Sequence, residues 1–318
     1  MLKHQRSVRL GNNQVMAINW FPGHMHKARK EIKKAMSQVD LVIEVLDARI
    51  PFSSANPLIN SLKDNKPCIK VLNKADLADP KMTELWQQRF ELDTSVKSLS
   101  LSANSDGRKQ TITHLCRKLA PNKESSDKAI SAMIMGIPNV GKSTLINALA
   151  GKAIAKTGNE PAVTKRQQKI DLGNGIVLSD TPGILWPKLE PESCGFRLAA
   201  TGAIKDTAME YELVALFVLN HLKQHYPEAL QNRFKLTDVN AGDRQLLELI
   251  GGKRGCLRAG GVVDHYQAST IVLQELRSAK LGRISLETPE IMDREMAEFY
   301  AAIEAKRHAK AEQDKPKS

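Results

Sequence analysis

The chain has 318 residues, of which 42% are hydrophobic, and it carries a formal net charge of +12. This length and composition suit a globular protein of about two domains, and no apolar run approaches the roughly 20 residues of a membrane span. The four cysteines, Cys68, Cys116, Cys194 and Cys256, stand far apart without paired metal spacing, so reduced structural thiols in a cytoplasmic protein are expected.

The charge is unevenly placed. Residues 1–184 hold 28 Lys+Arg and 16 Asp+Glu, whereas residues 185–318 hold 19 of each. The first 34 residues contain Lys3, Arg6, Arg9, Lys27, Arg29, Lys30, Lys33 and Lys34 against Glu31 alone. Such a cluster suggests a polyanionic partner, nucleic acid first; a solvated tail and helix face would carry the same residues.

In chain order, residues 1–15 read as a basic arm, charged but without the apolar segment of a secretory signal. Met16 could serve as an alternative start. Trp20-Phe-Pro-Gly-His-Met25 reads as a compact aromatic turn before a basic helix expected over about 26–38. A strand over 41–46 ends at Asp47-Ala-Arg-Ile-Pro51, and a helix near 56–64 leads to a strand over 68–72. A helix over 80–91, a strand over 96–101 and a helix over 110–119 follow, then a polar connection from 121 to 127. The run over 129–135 reads as a buried strand, and residues 168–172 and 176–179 read as a hairpin around Gly173-Asn-Gly175. From about residue 190 the pattern is helical, over 207–224, 226–234, 243–250, 264–280 and 289–308. Strand–helix alternation implies a mostly parallel sheet with helices on both faces. The expected organisation is therefore the arm over 1–15, an α/β domain over 16–187 and a small all-helical domain over 188–318.

Gly136-Ile-Pro-Asn-Val-Gly-Lys-Ser-Thr144 fits the phosphate-binding loop, G-x-x-x-x-G-K-[ST], in the strand–loop–helix setting the motif requires. Backbone N–H groups of Asn139, Val140, Gly141, Lys142, Ser143 and Thr144 would cradle phosphates. Lys142 would reach the terminal phosphates, and the Ser143 hydroxyl would join Mg²⁺. Asn73-Lys-Ala-Asp76 follows a strand. There the Asp76 carboxylate can accept from the N1–H and exocyclic amine of guanine, donors that adenine does not present, so ATP-dependent kinase chemistry is disfavoured. Asn73 would support the base edge and loop, Lys74 would lie along the ring beside Ala75, and Ser102-Ala103-Asn104 could close over the base. Asp180-Thr-Pro-Gly183 matches D-x-x-G, with Asp180 supporting Mg²⁺ through water and the Gly183 N–H meeting the terminal phosphate. Thr164 is the candidate for a switch threonine on Mg²⁺; a plain loop threonine would look the same.

Base-reading motifs thus precede phosphate-reading ones, the reverse of an ordinary small GTPase. A circular permutation gives the same sheet when the original termini lie close together. It also leads the segment after Gly183 directly into the C-terminal helices. These stretches, with Trp20 to Met25, Asp47 to Pro51 and Arg197-Leu-Ala-Ala-Thr-Gly-Ala-Ile204, resemble a circularly permuted P-loop GTPase of the RbgA/YlqF ribosome-assembly family. The resemblance covers about residues 16–285 and leaves the arm outside it. It implies a GTP-hydrolysing, late-acting assembly factor that docks in its GTP state on rRNA of a large ribosomal subunit precursor, cycles between GTP and GDP, and is a monomer off the ribosome. Two alternatives stay open: a nucleotide-gated RNA-binding module, or a GTPase acting on the small subunit or another structured RNA.

Gly183 is followed by Ile184, where many GTPases place a glutamine that orients water. Asn139 could help bind K⁺ beside the phosphates, as in potassium-stimulated GTPases with the same G-x-P-N. His24 lies in the turn that the resemblance marks as catalytic, and imidazole can orient water or take its proton near neutral pH. By residue type alone, His24 also suits a hydrogen-bonded turn near Trp20 and Phe21. Candidate RNA contacts are Lys27, Lys30 and Lys34 on one helix face, and Lys253, Arg254, Arg258, Arg277 and Lys280 within a basic stretch over 251–283.

Overall fold

The computed structural model describes residues 9–10, 14–15, 32–102, 105–124, 128–155, 168–181, 189–204 and 206–313. Its centre is a sheet of β1 (Leu41–Asp47), β2 (Cys68–Asn73), β3 (Val96–Ser100), β4 (Ile130–Gly136), β5 (Gln168–Asp171) and β6 (Ile176–Asp180). The order across the sheet is β3-β2-β1-β4-β6-β5. The neighbours from β3 to β6 all pair in parallel, whereas β5 runs antiparallel to β6 as the expected hairpin.

β1, Leu-Val-Ile-Glu-Val-Leu-Asp, is buried along its whole length, as a strand covered on both faces must be. Its Glu44 stands opposite Lys70 of β2, and the two side chains form an ion pair. Lys70 also lies 4.8 Å from the Phe90 ring centroid. The internal charge is therefore matched by its neighbour across the ladder.

Helices pack around the sheet: α1 (Pro51–Ser54), α2 (Pro57–Lys63), α3 (Pro80–Phe90), α4 (Arg108–Leu119) and α5 (Lys142–Ala150). The Asn-Pro and Asp-Pro starts of α2 and α3 act as their composition suggests. Asn56 accepts from Leu58 N at 2.9 Å, and Asp79 accepts from Lys81 N at 2.9 Å, each followed by proline in the first turn. α1 is capped from much farther away. Glu287 accepts from the Phe52 and Ser53 backbone N–H groups and, at 2.6 Å, from Ser53 Oγ, across 235 residues of sequence in the case of Phe52.

The C-terminal helices are α6 (Glu192–Ala200), α7 (Tyr211–His225), α8 (Pro227–Phe234), α9 (Asp243–Lys253), α10 (His265–Arg277) and α11 (Pro289–Gln313). α7 buries Leu213, Val214, Val218, Leu219 and Leu222. One cluster of buried side chains runs from Ile43 and Ile134 in the sheet through Phe196 and Leu198 to Val218, Leu247 and Val272. α1, α6 and the short helix Pro121–Glu124 were not expected from the sequence, and α7 begins at Tyr211 after a turn over Asp206–Ala208 rather than at 207. Cys68, Cys116 and Cys194 are buried thiols pushed up to about 12 by that burial. No helix among the described residues is long and apolar enough to cross a membrane.

His221 of α7 is buried, with Nε2 2.9 Å from the Ser285 carbonyl oxygen and its ring 4.6 Å from that of His225. Burial, then the His225 and Arg197 charges, lower its pKa from 6.5 to about 4. Between those values the unfolded chain binds the proton and the folded chain does not, so stability falls as the pH falls. The expected loss from this group is about 3 kcal/mol between pH 6.5 and 4. Denaturant unfolding at both ends of that range should show a shallower pH slope in His221→Gln than in the parent.

Candidate nucleotide site

The chain leaves β1 toward β2 and β3 on one side, and leaves β4 toward β6 and β5 on the other. Open α/β sheets bind ligands at such a switch point, outside the carboxyl ends of the strands. Residues 137–141 cross it from β4 to α5. Gly136 closes β4 where a Cβ would lie 2.7 Å from the Val45 carbonyl oxygen. Gly141 has φ +91°, and a Cβ there would lie 2.3 Å from Asn73 Nδ2. Glycine is required at both positions by close approach, and at the second also by its backbone. Val140 is buried between them, and Asn139 is half-buried at φ 60°. α5 starts at Lys142, so Lys142, Ser143 and Thr144 contribute first-turn N–H groups that no earlier helical carbonyl satisfies.

The Lys142 ammonium is buried and paired with Asp180 Oδ1, at the end of the neighbouring β6. Asp180 Oδ2 is also buried and has no partner among the described residues. An orphaned carboxylate oxygen beside the phosphate loop matches the chemistry of a hard divalent cation. Thr181 Oγ1 donates to the Ile134 carbonyl at 2.9 Å, fixing the start of the D-x-x-G segment against β4.

The Asn73–Asp76 loop leaves β2 beside the Gly136–Thr144 loop and is tied to it twice. Asn73 Nδ2 donates to the Val140 carbonyl at 2.7 Å. Lys74, at φ 59°, reaches the Asn139 carbonyl at 2.6 Å and Asp47 Oδ2 at 2.9 Å. The Ala75 N–H donates to the Leu101 carbonyl at 2.9 Å, leaving Asp76 exposed at the rim. Lys74 therefore braces the two loops from below, where the sequence suggested a place along the base. Ser102 is half-buried, with its N–H donating to Ser105 Oγ at 2.8 Å.

Asp47 and Arg49 are members of this site to which the sequence assigned no role. Both are buried, and Arg49 Nε and Nη2 fork onto the Asp47 carboxylate at 2.9 and 2.7 Å. Burial favours the neutral acid, but Arg49 and Lys74 outweigh it and hold Asp47 well below the usual carboxylate range. Burial, with the neighbouring Arg49 charge, lowers the Lys74 pKa despite Asp47. The network then crosses to the loop after α6: Arg49 Nη2 lies 3.5 Å from the Thr201 carbonyl oxygen, and Asn139 Nδ2 donates to the Gly202 carbonyl at 2.8 Å. Removing one partner of a buried, hydrogen-bonded pair strands the other charge, so Arg49→Ala should cost about 3–5 kcal/mol of stability. Urea unfolding of parent and variant at neutral pH measures it; a cost below about 1 kcal/mol would mean that water replaces the guanidinium.

Comparison with known proteins agrees with this geometry. A family model described as 50S ribosome-binding GTPase matches residues 131–250. Ribosome biogenesis GTPase A of Bacillus pumilus is 47% identical over 282 residues, covering 86% of this chain and 100% of that protein. The chain belongs to the ribosome biogenesis GTPase A (RbgA/YlqF) family. The homologue from Thermotoga maritima is 32% identical over 275 residues, 86% of this chain and 95% of its own. The crystal structure of GNP-bound YlqF from T. maritima superposes with a TM-score of 0.59 at 29% identity, over 83% of this chain and 99% of that one.

In this member of the ribosome biogenesis GTPase A family, His24, Lys27, Lys30, Ala103, Asn104, Thr164, Gly183 and Ile184 lie outside the described residues. Among the described basic residues assigned to RNA, Lys34, Lys253, Arg258 and Lys280 are exposed, and Arg254 and Arg277 are half-buried. Four of them also have partners within the molecule. Lys253 Nζ donates to the Lys235 carbonyl at 2.7 Å, and Arg258 pairs with Asp264 at 2.9 Å. Arg254 pairs with Glu275 at 3.0 Å and stacks 5.1 Å above Phe234. Arg277 donates to the Ala199 and Ala200 carbonyls at 2.9 and 3.0 Å, closing the C-terminal end of α6.

Proposed function

We propose that this chain binds GTP across the switch point, hydrolyses it to GDP and phosphate, and serves a late step of large ribosomal subunit assembly in the cytoplasm. The GTP form docks on rRNA of the precursor particle, and hydrolysis licenses release of a monomeric protein. One observation carries this reading. The Asn73–Asp76 loop and the Gly136–Thr144 loop are hydrogen-bonded to each other at one crevice, in a chain 47% identical to a ribosome biogenesis GTPase A over 86% of its length.

Within the site, Asp76 accepts from the guanine edge, while Lys142 and the first-turn N–H groups of α5 hold the phosphates. Ser143, Thr164 and Asp180 would hold Mg²⁺, Asp180 through water, and the orphaned Asp180 Oδ2 supports that assignment. When bound, Mg²⁺ neutralises charge on the β- and γ-phosphates. Asn139 would help hold a potassium ion beside the phosphates. His24 orients the attacking water in place of the glutamine that Ile184 replaces. Lys27, Lys30, Lys34 and Lys280 supply charge toward RNA, and the internally paired arginines shape the surface that carries it.

Sedimentation through a density gradient with isolated ribosomal particles tests this reading. Co-migration with large-subunit precursors is expected with GTP or a non-hydrolysable analogue, and loss of it with GDP. Co-migration with neither subunit in any nucleotide state would remove the ribosomal assignment.

A further inference from the structure

The loop that carries Asp76 is held from two sides. Toward the sheet, the Ala75 N–H donates to Leu101 of the segment after β3. The connection between α10 and α11, residues 283–287, bonds both to this loop and to Arg49. The Ile284 N–H donates to the Leu77 carbonyl at 3.1 Å, and the Leu286 N–H donates to the Arg49 carbonyl at 2.8 Å. Asp79 N donates to Ser285 Oγ at 3.2 Å, and Tyr226 of α8's N-terminal boundary donates its hydroxyl to Asp79 Oδ2, also at 3.2 Å.

Arg283 completes this contact. Its Nη2 donates to the Ala75 carbonyl at 2.8 Å and its Nε to the Ala78 carbonyl at 2.9 Å. Those two carbonyls bracket Asp76. A planar guanidinium with two donors in fixed relation sets the distance between its acceptors, which a flexible ammonium cannot do. By charge alone Arg283 belongs to the basic stretch over 251–283, yet its hydrogen bonds point into the molecule.

We propose that Arg283 is a positioning residue for guanine recognition: by bridging the Ala75 and Ala78 carbonyls, it sets the loop from which Asp76 meets the base. The proposal rests on Asp76 as the guanine reader. The C-terminal connection is then part of the base site, and a partner that shifts residues 283–287 changes nucleotide affinity, with the reciprocal effect of nucleotide on that partner.

The experiment titrates GDP and inosine diphosphate into the full chain, parent, Arg283→Ala and Arg283→Lys. Inosine lacks the amine, so a displaced Asp76 loses more with GDP than with inosine diphosphate. Loss of two hydrogen bonds should weaken GDP binding by about tenfold in Arg283→Ala, narrow its preference over inosine diphosphate, and leave Arg283→Lys between the two. An Arg283→Ala protein with parental GDP affinity, or one weakened equally for both nucleotides, would overturn the proposal. Asp76→Asn, titrated in parallel, separates the two failures: if that variant binds GDP as the parent does, it is the base-reading assignment that fails.

Discussion

Asp76→Asn is expected to lower GTP affinity by about 10⁴-fold and to make xanthosine triphosphate the preferred ligand. The argument is one of donors and acceptors. A carboxylate at this rim accepts from both N1–H and the exocyclic amine of guanine, whereas the new amide turns an N–H toward that amine. Xanthine carries a carbonyl at the same place and restores the pair. Asp76 is exposed, and the loop around it is anchored through backbone groups, so the substitution leaves the anchoring bonds in place. Competition of unlabelled GTP and xanthosine triphosphate against a fluorescent nucleotide measures the exchange. Parental GTP affinity in the variant would show that Asp76 does not read the base.

His24→Ala is expected to lower ribosome-stimulated turnover by about 10²–10⁴ while nucleotide affinity changes only a few-fold, the usual reach of a group that positions water or takes its proton. The motivation is chemical: Ile184 cannot orient a water. Single-turnover hydrolysis with and without large subunits separates this effect from binding. If stimulated turnover were unchanged, His24 would be an ordinary turn residue. Substituting Asn139 by Ala should in addition remove any stimulation by potassium over sodium. That variant also loses the hydrogen bond to Gly202, so its stability must be measured alongside.

The parts of this molecule that were legible in the sequence are those whose cause is local. β1 and β4 read as buried strands because their apolar runs need no partner to be recognised. The phosphate loop reads through Gly136 and Gly141, whose absence of a side chain is demanded by Val45 and Asn73. α6 was hidden for the opposite reason. Cys194 to Ala200 are all buried, Arg197 among them through its pair with Glu295, so the segment's setting depends on residues far along the chain. Asp47, Arg49 and Lys74 meet only because β1 and β2 pair in a register that sets Asp47 beside Asn73, which no local pattern reports. Arg254, Arg277 and Arg283 read as an outward basic patch, but their guanidinium groups satisfy internal carboxylate and carbonyl acceptors.

The cap that Glu287 places on α1 carries a consequence for how the protein is made. Phe52 leaves the ribosome 235 residues before Glu287, which at about 5–20 residues per second is an interval of roughly 12–47 s. In the later part of it, once Asp180 has been added, every strand of the sheet and both nucleotide loops have been synthesised, while the segment that caps α1 and flanks the Asn73–Asp76 loop has not. The nascent chain passes through a stage with all of its nucleotide motifs and an unfinished pocket. Completion of that site waits for residues 283–287 to fold back onto α1.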